Sequence, residues 1–273
     1  MKKLFLLLMI AAPLLFACSD KNQDELADEE TYTLYVTYKG TEYVVPCKIG
    51  PNGNPIYLDE EYKTLYNNVI SKNENLVTYM KDEYSITYYD SVDEMMEDLN
   101  LHFVDLDSAA NTGKENGVRT RVASDVIAGR VTLWKDMNYG GSTRTFQSYY
   151  TKFYSHHRLS DFKFNDEASS IKVWSNIPLN DSVYVNWSDV ETTFNEVPHV
   201  ETPTQGSVKY ATNDLRVVFM GYEHKDYGGK VLCCIPSNLG MYSHYRLSLI
   251  DWNDIMSSVV IRLAVKGLYS PQY

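Results

Sequence analysis

The chain has 273 residues, with 25 Lys and Arg against 36 Asp and Glu and a formal net charge of −11 at pH 7. An acid surplus of this size argues against nucleic acid or anionic lipid headgroups as partners, and no Cys or His spacing resembles a zinc site. Tyrosine is unusually common at 23, against 14 Gly and 9 Pro, which favours one-sided sheets that bury the ring and wet the hydroxyl.

The N-terminus reads Met1-Lys2-Lys3, then an apolar run from Leu4 to Ala17 broken once by Pro13. A basic start followed by roughly 7–15 apolar residues predicts a secretory signal peptide over 1–17, too short to span a membrane comfortably. The run ends in Leu15-Phe16-Ala17-Cys18, which resembles the lipobox of bacterial lipoproteins. That resemblance implies cleavage before Cys18 and lipidation of its sulfur, with palmitate-type acylation as the membrane link. The expected location is the bacterial cell envelope, at the outer membrane, on its surface or its periplasmic side. Residues 18–30 then form an acidic tether similar to the surface-export signals of some Bacteroidetes.

Cys47, Cys233 and Cys234 remain, an odd number for an oxidising compartment. Cys233 and Cys234 sit in V-L-C-C-I, where neighbours on a strand face opposite ways and a bridge between them is disfavoured. All three read as buried small residues, although their pairing is not fixed by the sequence.

From Thr31 the pattern turns regular. T-L-Y-V-T-Y, Lys39-Gly40 and T-E-Y-V-V-P-C-K predict a hairpin. Asp59 precedes Tyr62, Leu65, Tyr66 and Val69 at helical spacing, an N-capped amphipathic helix. Strands are expected near 75–80 and 84–89, and Ser91 with Glu94 makes a capping box before Met95, Met96 and Leu99. Residues 31–104 are therefore expected to form a small α+β domain, with no catalytic constellation to suggest its role. Residues 105–122, which include Asp107-Ser-Ala, a pattern similar to a Bacteroidetes O-glycosylation site, read as a linker.

The rest of the chain repeats itself. At an offset of 88 residues, Trp134 to Gly141 lies on Tyr222 to Gly229, Tyr154-Ser-His-His-Arg-Leu-Ser on Tyr242-Ser-His-Tyr-Arg-Leu-Ser, and Asn165-Asp-Glu-Ala-Ser-Ser on Asn253-Asp-Ile-Met-Ser-Ser. Each copy reads as an aromatic strand, a folded hairpin ending in Tyr-Gly-Gly, a second strand, a loop with Tyr, His and Arg, and a last strand. Four short antiparallel strands with one long return make a Greek key, and two such units should pack as a sandwich.

The joint pattern of Trp134/Tyr139/Gly141 and Tyr222/Tyr227/Gly229 with Asn165–Ser170 and Asn253–Ser258 resembles the βγ-crystallin Greek-key motif in its calcium-binding microbial form. The resemblance covers about residues 123–265 of a domain expected over 123–273, with motifs at about 131–174 and 217–263. It departs from the family at the long insert 175–216, which is expected to add a strand pair at the edge. The implied fold is mainly β: a two-motif Greek-key β-sandwich preceded by the small α+β domain. The resemblance further implies calcium clamps built from both motifs, with side-chain ligands Asp166, Ser169, Asp254 and Ser257 and carbonyl donors Glu167, Ile255, Met137 and Lys225. Which turn pairs with which serine is left open.

Oxygen donors of this kind suit calcium, which takes six to eight oxygens. With one carboxylate per site, two weakly bound Ca2+ ions are expected, with affinities on the order of 10⁻⁶–10⁻³ M. The competing reading is structural, since Asn-Asp and Ser-Ser also cap turns by bonding their own backbone. His156 and His244 are equivalent in the repeat and are expected to serve the fold; no serine lies in G-x-S-x-G, and no His-Glu-x-x-His or Gly-rich phosphate loop is present. The expected protein is a non-enzymatic envelope lipoprotein, metal-stabilised, serving as a binding or structural module. The alternatives are a peptidase inhibitor of Greek-key fold, acting through the 175–216 insert, and a glycan-binding surface protein using exposed Tyr and Trp; a protein or glycan partner is thus expected but not identified.

Overall fold

A computed structural model describes residues 31–51, 54–104, 127–149, 154–180, 182–186 and 207–267. The signal segment, Cys18, the acidic tether, the linker with Asp107, and residues 187–206 of the insert lie outside the described residues.

The N-terminal hairpin pairs β1 (Thr31–Tyr38) with β2 (Thr41–Ile49) from Thr31↔Lys48 to Tyr38↔Thr41. Lys39 and Gly40 both take positive φ, 49° and 74°, the mirror-image turn whose twist suits a two-residue hairpin. In β1 the odd residues face out while Tyr32, Leu34, Val36 and Tyr38 are buried. A short strand, β3 (Pro55–Tyr57), continues the edge beyond β2. Helix α1 (Glu60–Asn68) is capped by Asp59, whose carboxylate accepts from the Tyr62 amide at 2.7 Å, and it buries Tyr62 and Tyr66. Strands β4 (Val77–Met80) and β5 (Ser85–Tyr89) pair with each other, and β5 runs parallel to β1.

Helix α2 (Val92–Asp98) starts at the predicted capping box: Ser91 Oγ accepts from the Glu94 amide. The Glu94 carboxylate accepts instead from the amide of Asp90, one residue before the cap. Strand β6 (Leu101–Val104) leaves this unit altogether, as described below.

The repeat gives two four-strand units: β7 (Ile127–Trp134), β8 (Thr143–Tyr149), β9 (Tyr154–His156) and β10 (Ser170–Ser175), then β13 (Leu215–Tyr222), β14 (Val231–Cys234), β15 (Met241–His244) and β16 (Ser258–Lys266). Between them β11 (Ser182–Asn186) and β12 (Ser207–Ala211) pair only with each other, as a separate two-stranded sheet rather than an added edge of the sandwich.

The Tyr-His-Arg segments expected as loops each contain a short strand, and these strands change places. β15 of the second unit pairs with β10 of the first, completing the sheet β15-β10-β7-β8. β9 of the first unit pairs with β16 of the second, beside β13 and β14. Neither unit completes a sheet alone, so the two motifs fold as one Greek-key sandwich. The chain is mainly β, and its C-terminal part is a sandwich in which the two units exchange their third strands.

Hydrogen bonding does not stop at the division expected between 31–104 and 123–273. β14 runs parallel to β4, from Val231↔Val77 to Cys234↔Met80, and β6 pairs with the far end of β16. The result is one ten-stranded sheet in the order β3-β2-β1-β5-β4-β14-β13-β16-β6, with β9 on β16. One core lies between the sandwich sheets and extends under α1; a second, built from Met95, Met96, Leu101, Val218, Met220, Tyr222 and Val260, lies between α2 and the opposite face. Each fully buried side chain of this size adds about 1.5–3 kcal/mol relative to exposure, so the N-terminal unit and the second motif are stabilised jointly. Cys47, Cys233 and Cys234 are buried free thiols.

Candidate metal centre

The two Asn-Asp-x-x-Ser-Ser turns face each other across the pseudo-twofold. Ser257 Oγ donates to Asp166 Oδ1 at 2.9 Å, and Ser169 Oγ donates to Asp254 Oδ1 at 3.1 Å. Each aspartate is thus joined to the serine of the other motif, which answers the pairing question the sequence left open. Asn165 and Asn253 donate from their side-chain amides to the second carboxylate oxygens of Asp166 and Asp254, fixing both carboxylates in one orientation.

The backbone is arranged to match. Asp166 and Asp254 sit in the left-handed region at φ 51° and 55°, which Asp tolerates better than most residues. Their amides donate across the dyad, Asp166 N to Met256 O and Asp254 N to Ala168 O, both at 3.1 Å. The hairpins repeat the same distortion: Asn138 and Asp226 at φ 54° and 58°, Tyr139 and Tyr227 at 62° and 61°, Gly141 and Gly229 at 69° and 75°.

The last serine of each turn binds the hairpin of its own motif. Ser170 Oγ donates to Asp136 O and accepts from Tyr139 N, and Ser258 Oγ does the same with His224 O and Tyr227 N. Ser257 N also donates to Tyr222 O, and Ser169 N to Trp134 O. Ser257 therefore travels with the hairpin that carries Lys225, and Ser169 with the hairpin that carries Met137. Trp134 packs edge-on against Tyr139 at 5.3 Å, and Tyr222 against Tyr227 at 5.6 Å, which folds both hairpins over their sheets.

Of the eight sequence-predicted ligands, the structure joins four side chains in two pairs, Asp166 with Ser257 and Asp254 with Ser169, while the Met137 carbonyl accepts from the Gly140 amide within its own hairpin. Burial raises the Asp254 carboxyl above the usual aspartate value; the hydrogen bonds from Ser169 and Asn253 oppose this, and the nearby charges of Glu167 and Asp166 add to it. Lys135 ion-pairs with the Glu167 side chain, leaving its carbonyl as the group that can turn to the site. Among the described residues no group of three or more His, Cys, Asp or Glu side chains converges, so any cation here is held by mixed oxygens.

The donor set fits calcium. Two oxygens each 2.3–2.6 Å from one calcium lie about 3 Å apart when they are neighbours in its shell, close to the Asp–Ser separations found. The partly desolvated Asp254 carboxylate also lies near the charges of Glu167 and Asp166, a repulsion that a cation would offset.

The sequence missed what braces the second turn. Asp251, at φ 59°, accepts from the Tyr66 hydroxyl at 2.7 Å, and the Trp252 indole N–H donates to Thr78 Oγ1 at 3.1 Å. Two consecutive residues before Asn253 are thus bolted to the N-terminal unit. The first turn has Lys163 and Phe164 at those positions, and that difference between the copies was the available signal. His244 is fully buried, and desolvation pushes it down to about 4, so it stays neutral. Its counterpart His156 lies 3.3 Å from Asp161 and packs at a tilt against Phe162, with ring centroids 4.4 Å apart.

No family model matches the chain, and no curated protein matches it. Among solved structures, one from work on the evolution of the eye lens beta-gamma-crystallin domain fold is similar at 14% identity and a TM-score of 0.27, covering 53% of this chain and 92% of that one. The Greek-key assignment made here stands on the strand pairings and exchanged third strands rather than on that likeness.

Proposed function

We propose that this protein is a calcium-binding, non-enzymatic module of a bacterial cell envelope, anchored through lipidated Cys18, in which the metal chiefly stabilises the Greek-key sandwich. The observation that carries the reading is the pair of reciprocal cross-motif contacts, Asp166 with Ser257 and Asp254 with Ser169. A purely structural cap would bond its own turn; these side chains instead bring oxygens from both motifs to two places. One clamp comprises Asp166, the Glu167 and Lys225 carbonyls and Ser257. The other comprises Asp254, the Ile255 and Met137 carbonyls and Ser169.

A bound cation would offset the repulsion among Asp166, Glu167 and Asp254 and tie one motif to the other. At free calcium ~100 times the dissociation constant, each site would add about 2.7 kcal/mol, a large share of an ordinary stability margin. The test is thermal melting of residues 19–273 in EDTA and in millimolar calcium, with magnesium as comparison. The reading predicts a clear rise with calcium and little with magnesium, which prefers tighter octahedral sites; equal melting in all three conditions would reduce both turns to caps.

A further inference from the structure

We propose that the outer face of the sheet β15-β10-β7-β8 is a binding surface for an acidic glycan. Strand register sets the face out in rows: Met241, Trp174, Arg130 and Gln147 lie side by side, then Ser243, Lys172, Thr132 and Thr145, then Trp134 beside Thr143. The alternate residues, such as Val131, Leu133, Phe146, Ile171 and Val173, point into the core. Cross-strand contacts confirm the shared face: the Arg130 guanidinium lies 4.8 Å from the Trp174 ring, Lys172 Nζ lies 3.9 Å from the Tyr139 ring, and the Thr132 and Thr145 hydroxyls are 2.8 Å apart.

The second motif supplies an internal control. The positions equivalent to Arg130, Thr132, Trp134, Lys172 and Trp174 are Val218, Met220, Tyr222, Val260 and Arg262, all buried. Most of them pack beneath Met95, Met96 and Leu101 of the N-terminal unit. Where the chain covers the face, four of these five positions are uncharged and largely apolar, and the fifth, Arg262, lies over the Phe103 ring; the pseudo-equivalent face of the first motif carries cations, aromatics and hydroxyls, and Trp134, Trp174, Arg130 and Lys172 stay half-buried. No Asp or Glu occupies any of these rows, in a chain whose net charge is −11. Arg130 Nε is also buried, with no hydrogen-bond partner among the described residues.

These groups match the chemistry of an acidic sugar chain. Ring C–H faces pack on Trp and Tyr, sugar hydroxyls exchange hydrogen bonds with Thr, Ser and Gln, and a carboxylate or sulfate pairs with Arg and Lys. Single-stranded nucleic acid uses aromatic and cationic groups too, but the rows of Thr, Ser and Gln side chains beside them suit sugar hydroxyls, and a thymidine homopolymer enters the test as the competing outcome. The inference depends on strand register alone and does not require the metal.

The experiment is affinity electrophoresis and tryptophan fluorescence of residues 19–273 with polygalacturonate and chondroitin sulfate, beside neutral dextran and a thymidine homopolymer. Retention by at least one acidic glycan is expected, weakened at least tenfold by Lys172→Glu and by Arg130→Ala/Trp174→Ala, kept by Lys172→Arg, and reduced by salt. Unchanged melting of the variants would exclude unfolding as the cause. No retention by either acidic glycan, equal retention by dextran, stronger retention by the homopolymer, or indifference to Lys172→Glu would each overturn the proposal.

Discussion

Replacing Tyr66 by Phe removes one oxygen from the junction between α1 and the second motif. Tyr66 is buried, and its hydroxyl donates at 2.7 Å to Asp251, which is half-buried. Burial raises that carboxyl above the usual aspartate value, while the Tyr66 hydrogen bond and the Lys230 charge pull it down and Glu223 pushes it up. Loss of a hydrogen bond to an ionised group costs about 1.5–3 kcal/mol, against about 0.5–1.5 for a neutral one. The sign with pH follows. A carboxyl raised on folding binds its proton more tightly in the native state, so its ionised form costs stability above the unfolded value and that cost vanishes as pH falls. Tyr66→Phe should therefore cost about 1.5–3 kcal/mol at pH 7, lowering the melting temperature by roughly 3–12 °C for a chain of this size, and should cost less at acid pH. Paired chemical denaturation of both proteins at two pH values measures this. A cost below 0.5 kcal/mol, or one independent of pH, would refute the account of Asp251 as a charge held by Tyr66.

The cross-motif pairing makes Ser169→Ala a selective change: it should weaken the Asp254 clamp roughly tenfold, about 1.4 kcal/mol, and leave the Asp166 clamp intact, as calcium titration of single-site variants would show. At Gly141, with φ +69°, an added Cβ would meet Asp136 Oδ2 at 2.5 Å; Gly141→Ala should cost about 1–3 kcal/mol in urea denaturation. Burial pushes the Cys47 thiol up to about 11 and holds Cys233 and Cys234 higher still, so a thiol reagent should reach none of the three at pH 8 until the protein unfolds.

Much of the fold was legible because local rules and global packing agree. The Lys39-Gly40 turn, the Asp59 and Ser91 caps and the two Tyr-Gly-Gly hairpins each carry their conformational requirement in residue type. The in-register repeat was legible too, and with it the Asp and Ser side chains that meet across the motifs. Four features were not. The third strands, Tyr154–His156 and Met241–His244, are too short to alternate convincingly, and their exchange is set by packing between units. The parallel pairing of Val77–Met80 with Val231–Cys234 joins segments 154 residues apart with no local signature. The Asp–Ser pairing across motifs depends on that same three-dimensional arrangement, so the residue types at the two turns could be read but not which of them meet. The separate pairing of the insert strands, away from the sandwich, was likewise invisible in V-Y-V-N-W.

The central claim is most directly tested by calorimetric calcium titration of residues 19–273 beside the Asp166→Ala/Asp254→Ala double variant. That chain keeps the sheet continuous, which a fragment beginning after the linker would not. The account predicts about two weak sites, with dissociation constants on the order of 10⁻⁶–10⁻³ M, both absent in the double variant, and weaker binding as pH falls towards the raised Asp254 value. No heat at millimolar calcium, or the same titration curve for the double variant, would contradict it.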